Sequence, residues 1–349
     1  MKKAVIRFVR VALTVLILFL FLLFSKEVTS GVSNGLNVCA LVLIPSLFPF
    51  LILSHLLVHS KLGKALQEFS APFLTRWFGL PACCASAIIM GLIGGYPAGA
   101  QVVAQMQKQG EIDQATSQRL LWLCVNAGPS FLITALGVGI LGDARAGLVL
   151  YLAQILSVFV IGFLLGRFFP LQRSKKSGPV KNALSFGDVL VHSVKGAIDS
   201  MLSVCGYVLA FSALISILEQ TSVSLFPMIA LLEVTLGCTK SAIVGAPLWW
   251  YGFLTSFAGL SVHMQVLSFF PAPRPAYSTF LLSRLIHGVC TALLTGLLLI
   301  FFPHTAQVAL SLTQPVANLS GSPLFSLILM MMCGVFLLSF PQKSWRSLD

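Results

Sequence analysis

The sequence predicts an all-α membrane protein, with about eight transmembrane helices and two re-entrant helical hairpins in an inverted repeat. Three observations predict it. Of the 349 residues, 57% are hydrophobic and 9% charged, and the mean hydropathy is +0.94; soluble chains carry about 25% charged residues. Long uncharged runs recur along the chain, while the alternation of roughly ten-residue barrel strands is absent. Two of the apolar runs contain helix-breaking sequence at a depth where loose backbone survives only inside protein or beside a wet cavity.

The first break is Gly94-Gly95-Tyr96-Pro97-Ala98-Gly99-Ala100, inside the apolar run Pro81 to Val103. Paired glycines and a proline end a helix, and proline suits the start of the next because its missing N–H would be unpaired there anyway. Residues 82–104 therefore read as two half-helices meeting at a mid-membrane tip; the alternative is an ordinary span kinked by glycine. The second half-helix would turn its free N–H groups inward, a seat for an anionic or polar solute. Gly95, Tyr96, Pro97 and Gly99 are the candidate binding residues here.

Lys2, Lys3, Arg7 and Arg10 precede the apolar run Val11–Phe24. No small-residue cleavage pattern follows, so this reads as a retained first helix, with residues 1–35 as its unit. Further spans fall near 36–59, 117–141, 144–169, 196–218, 248–271, 277–303 and 324–341, with a second broken segment near 223–247. Charge tests the threading. With the N-terminus in the cytoplasm and both broken segments re-entrant, all but three of the 22 basic residues collect on the cytoplasmic side. The exceptions are Lys26, Arg145 and Lys240; Arg76, Arg119, Arg167 and Arg284 count as cytoplasmic. The net charge of +12 thus sets orientation and implies no nucleic acid. The eight cysteines all fall in apolar segments and read as packing residues, with no metal site.

The polar, basic stretch 170–187 divides the chain into similar parts, 36–169 and 188–303, followed by an external loop and last helix at 304–349. Ala127-Gly128-Pro129-Ser130 corresponds to Ala258-Gly259-Leu260-Ser261, and Gln154 to His287. Three spans plus a hairpin in each part turn the second copy upside down, with the site at the repeat interface.

The second tip is Leu232-Glu233-Val234-Thr235-Leu236-Gly237-Cys238-Thr239-Lys240. Intramembrane Glu and Lys face a partner or a cavity. The reading places Glu233 at the end of one half-helix, the break at Gly237, Thr239 as cap and Lys240 in the next first turn. Either Glu233 and Lys240 pair only with each other, or Lys240 meets a substrate carboxylate while Glu233 orients substrate or carries a proton. In the span 117–141, Asn126-Ala127-Gly128-Pro129-Ser130 frees backbone near the middle; Asn126, Gly128 and Ser130 complete the candidate site, with Thr235 from the second tip. His55 and His59 share a helix face but have no third metal ligand nearby in sequence. The hydrolase, metalloprotease and nucleotide-binding motifs are missing, so no enzyme and no cofactor is expected.

Gly95-Tyr96-Pro97-x-Gly99, Gly110-Glu111-Ile112, Arg119-Leu120-Leu121, Asn126-x-Gly128-Pro129-x-Phe131, Cys205-Gly206 and Leu232-Glu233-x-Thr235-x-Gly237 resemble the YlbJ-like sporulation integral membrane proteins. That group lies within the nucleoside-recognition (Gate) domain family, related in fold to concentrative nucleoside transporters. The resemblance covers roughly residues 36–303. It implies a role in spore formation, moving dipicolinate from mother cell toward forespore, with the hairpin tips and two broken helices forming the site. Where the resemblance leads one to expect a basic residue after Gly99-Ala100, this chain has Gln101. The expectation is a secondary transporter of a small carboxylated or heterocyclic solute; the alternatives are a nucleoside carrier and a non-transporting sporulation scaffold. The expected setting is a bacterial cell membrane, or the outer forespore membrane during sporulation, crossed many times with both termini cytoplasmic. The coupling ion, H+ or Na+, and self-association stay open.

Overall fold

The computed structural model describes residues 2–170, 186–220, 226–270 and 274–302. The external loop, the span expected at 324–341 and nearly all of the basic linker lie outside the described residues. Among those described, every regular element is helical. Four helices are long and apolar enough to cross a membrane: Ser25–Leu57, Ala144–Phe168, Gly187–Leu218 and Tyr277–Phe301. A fifth is gained if the pair Gly63–Phe78 and Ala82–Ile93, bent by 112°, is one span.

The chain opens with α1 (Lys2–Leu23) and α2 (Ser25–Val38), which continues through a π-helical turn at Cys39–Leu43 into α3 (Ile44–His59). The helix expected to begin near 36 thus begins at Ser25, so the boundary placed at 35 falls inside it. Its extra turns are held by packing: Gly31 and Gly35 lie against Ser212 on α9 (Phe186–Leu218), close enough that a Cβ would collide.

Lys61 to Phe78, expected to be a connection, is helical: α4 (Lys61–Phe73) runs into a π-turn, Leu74–Phe78. Ser60 starts it by accepting the Gly63 N–H at 3.0 Å. Its apolar positions had been hidden among Lys64, Glu68 and Arg76.

Two hairpins and two interrupted helices follow. α5 (Ala85–Ile93) and α6 (Tyr96–Lys108) form the first hairpin; α7 (Gln114–Cys124), a break at 125–129 and a π-helical stretch Ser130–Ile140 form the first interrupted helix. α8 (Ala144–Phe168) closes this half. In the second half α10 (Phe226–Leu232) and α11 (Val234–Ile243) form a hairpin. The second interrupted helix is α12 (Leu248–Phe257) and α13 (Gly259–Ser268), before the long α14 (Tyr277–Phe301). The span expected at 248–271 is therefore two helices.

The hairpin arms approach closely because small residues face each other. A Cβ on Gly99 would sit 2.2 Å from the Cys124 carbonyl oxygen and 2.7 Å from the Gly91 Cα. In the second hairpin Gly237 lies against Ala230, where a Cβ would come within 2.6 Å of its Cα.

Candidate functional site

Each hairpin tip crosses the break in the interrupted helix that follows it. Gly95 has φ +86° and ψ −171°, backbone that glycine adopts without penalty, and its Cβ position lies 3.3 Å from the Gly128 nitrogen. It precedes α6 without offering a side-chain cap, so the first-turn N–H groups have no side-chain acceptor. At the second tip the Cβ position of Gly259 is 3.0 Å from the Val234 nitrogen.

The second break sits at Glu233, four residues before the expected Gly237. Glu233 is extended (φ −138°, ψ 123°), and its carboxylate accepts the Leu236 N–H at 2.7 Å, capping α11. An acid can do this because the N-terminal end of a helix favours negative charge. Gly237, Thr239 and Lys240 consequently lie inside α11. Gly237 serves arm packing, and Thr239 donates to the Thr235 carbonyl at 3.0 Å, so it caps nothing. Lys240 pairs with Glu219 at the end of α9, both side chains more than a third exposed, and not with Glu233.

The tips and α9 enclose a cavity of about 50 Å³, enough for a few waters or the polar end of a small solute. Gly94 to Pro97 and Gly128 line one side; Glu233 to Thr235 line another. Tyr207 of α9 and Ser261 and Gln265 of α13 contribute further polar groups. Ser261 Oγ and Gln265 Nε2 are buried with no partner among the described residues, which marks them as groups awaiting one. Apolar closure comes from Leu43, Leu47 and Leu51. Glu233 is the only charged residue among these lining groups and is 1% exposed.

Of the residues predicted from sequence, Gly95, Tyr96, Pro97, Gly128, Glu233 and Thr235 meet at this cavity. Gly99, Asn126, Ser130, Gly237, Thr239 and Lys240 do not line it. Asn126 is fully buried within the break, its amide donating to the Leu123 carbonyl at 2.6 Å. Ser261 and Gln265 were missed as ligands, although the match of Ala258–Ser261 to the first break carried the signal, and Gln265 follows one turn later.

Two buried side chains hold the first break open. The Gln154 amide pairs with both backbone groups of Ala127, accepting at 3.1 Å and donating at 2.7 Å. Arg284, counted as cytoplasmic from sequence, is instead 0% exposed. Its guanidinium donates to the carbonyls of Leu121, Trp122 and Val125, the C-terminal end of α7. A cation matches both the orphan carbonyls and the dipole there. Its signal was position: a charge eight residues inside an apolar helix. In the other half His263 Nε2 hydrogen-bonds the Phe257 carbonyl at 2.8 Å, beside Ala258 (φ +76°).

Comparison with curated proteins finds similarity to the sporulation integral membrane protein YlbJ of Bacillus subtilis (strain 168), 26% identical over 336 residues and covering 82% of each chain. No protein-family model and no solved structure matches. In sequence the chain is thus similar to an integral membrane protein of sporulation, and its long apolar helices, which enclose paired broken segments, support a place in a membrane.

Proposed function

We propose that the protein is a secondary transporter of a small carboxylated or heterocyclic solute, working without cofactor or covalent chemistry in sporulation. The observation that carries this is the convergence of two tips, Gly95–Pro97 and Glu233–Thr235, on one cavity with unpartnered Ser261 and Gln265. A membrane scaffold has no use for broken backbone and orphan polar groups at such depth. The likeness to a sporulation protein makes dipicolinate the first solute to test. Its ring and carboxylates suit the uncapped N-terminus of α6 and the Gln265 amide, and Glu233 would take up a proton as the dianion arrives, coupling transport to H+.

The absence of a basic side chain from the lining favours a second reading, a nucleoside whose sugar hydroxyls donate to Glu233. Under both readings the two halves, hairpin then broken helix then long helix, form an inverted Gate-type repeat. Lys240 has no ligand role in either. Uptake of labelled dipicolinate and labelled uridine into proteoliposomes, with and without an imposed pH gradient, tests the proposal. Saturable dipicolinate uptake that Glu233→Gln makes insensitive to the gradient is expected. Uridine uptake alone selects the second reading, and uptake of neither overturns transport of these solutes.

A further inference from the structure

The bend of 112° between Gly63–Phe78 and Ala82–Ile93 leaves the first of these helices transverse to the hairpin arm. It presents three faces. Leu74 and Phe78 are buried. Lys64 and Glu68 are exposed on a polar side. Phe69 (85% exposed), Phe73 and Trp77 form a stripe at one-turn intervals on the third.

The stripe does not end with the helix. Phe73 meets Phe159 of α8 at 5.6 Å between ring centroids, and Trp77 meets Phe163 at 5.4 Å. The elements touch because α8 offers glycine at the crossing: a Cβ on Gly166 would sit 2.2 Å from the Trp77 carbonyl oxygen, and one on Gly162 2.7 Å from the Phe78 ring. The result is one exposed aromatic wall built from two helices.

Two arginines flank its end. Arg167 follows Phe159 and Phe163 at successive turns of α8, each about 6 Å further along the axis, and Arg76 adjoins Trp77. Both are exposed, and neither has an ion-pair partner among the described residues. Arg119 lies at the same helix end but is occupied, donating to the Leu165 carbonyl at 3.1 Å and to that of Phe169. An apolar wall flanked near the end of a membrane span by two exposed arginines suits a phospholipid, with chains against the rings and phosphate at the arginines. Arg pairs phosphate by two parallel hydrogen bonds, and basic pockets beside membrane helices bind anionic headgroups.

We infer that Arg76 and Arg167, together with Phe73, Trp77, Phe159 and Phe163, form a binding site for an anionic phospholipid of the surrounding leaflet. The inference is independent of the transported solute. The full chain, purified in detergent, is titrated with phosphatidylglycerol and with phosphatidylcholine of the same acyl chains, and bound lipid is counted by native mass spectrometry. The wild type should prefer phosphatidylglycerol, and each of Arg76→Gln and Arg167→Gln should weaken that lipid about fivefold. Arg76→Lys/Arg167→Lys should retain much of the preference, and Trp77→Ala should weaken both lipids alike. The single variants keep the test readable if the double glutamine variant fails to fold. Equal affinity of the wild type for both lipids, or an undiminished preference in both glutamine variants, would overturn the site. Displacement of the lipid by millimolar inorganic phosphate would overturn it in favour of a soluble anion, and loss of a protein dimer in the variants in favour of a second copy.

Discussion

The Tyr96 hydroxyl donates to the Thr255 carbonyl, joining the first hairpin tip to α12 just before its break at Ala258. The residues are 159 apart in sequence, and Tyr96 also lines the cavity. The same bond that closes the site therefore ties the two halves together.

Tyr96→Phe keeps the ring and removes this link, stranding a buried carbonyl. It should lower unfolding stability by about 1–3 kcal/mol, read as an earlier midpoint in denaturant titration of the detergent-solubilised protein. An unchanged midpoint would show that the hydroxyl contributes no net bond.

Arg284 offers a graded series. Arg284→Met deprives three carbonyls of a charged donor, at about 1.5–3 kcal/mol per bond. Arg284→Lys retains the charge but not the fork that reaches all three. Survival of monodisperse protein after heating should rank Arg above Lys and Lys above Met. If methionine ranked with arginine, packing rather than hydrogen bonding would hold the end of α7.

Gly99→Ala forces a methyl group against backbone at Cys124 and should cost about 1–3 kcal/mol or more. Gly206→Ala meets open space in the middle of α9 and should be neutral or stabilise by up to about 1 kcal/mol. Comparing their yields of folded protein separates a packing glycine from a binding one, because a binding role at Gly99 would spare folding and lower only solute affinity.

Lys240→Gln breaks a partly exposed ion pair, an effect of about 0–1 kcal/mol on stability, and should leave solute affinity unchanged. Glu233→Gln retains a carbonyl oxygen to cap Leu236 but removes the carboxylate from the cavity, so uptake should fall. A large affinity loss for Lys240→Gln with none for Glu233→Gln would return the ligand role to the lysine.

Local chemistry made the first tip legible. Pro97 falls in the first turn of α6 after glycine at the only kind of backbone that suits it, and Asn126 to Pro129 mark a break that the structure places at 125–129. Register at the second tip was not legible. Glycine there signals either a break or a close approach, and only the neighbouring arm, with Ala230 against Gly237, decides for the latter. Arg284 was misplaced for a related reason: an orientation rule counts charges near span ends, whereas three carbonyls 159 to 163 residues away hold this one inside. The helix from Lys61 was obscured because Lys64, Glu68 and Arg76 interrupt the run of apolar residues along the chain.

Ala258 gives the two breaks different mechanical characters. It is the only non-glycine residue with positive φ among those described, a conformation that burdens an L-residue by roughly 1–2 kcal/mol. The first break has no such load and is clasped on both backbone groups by Gln154, while the second has a histidine on one carbonyl. One corner of the cavity is stiff and the other sprung. If a solute binds Glu233 as proposed, it would bear on the corner that already carries this backbone load, since Gly259 lies against Val234 next to Glu233.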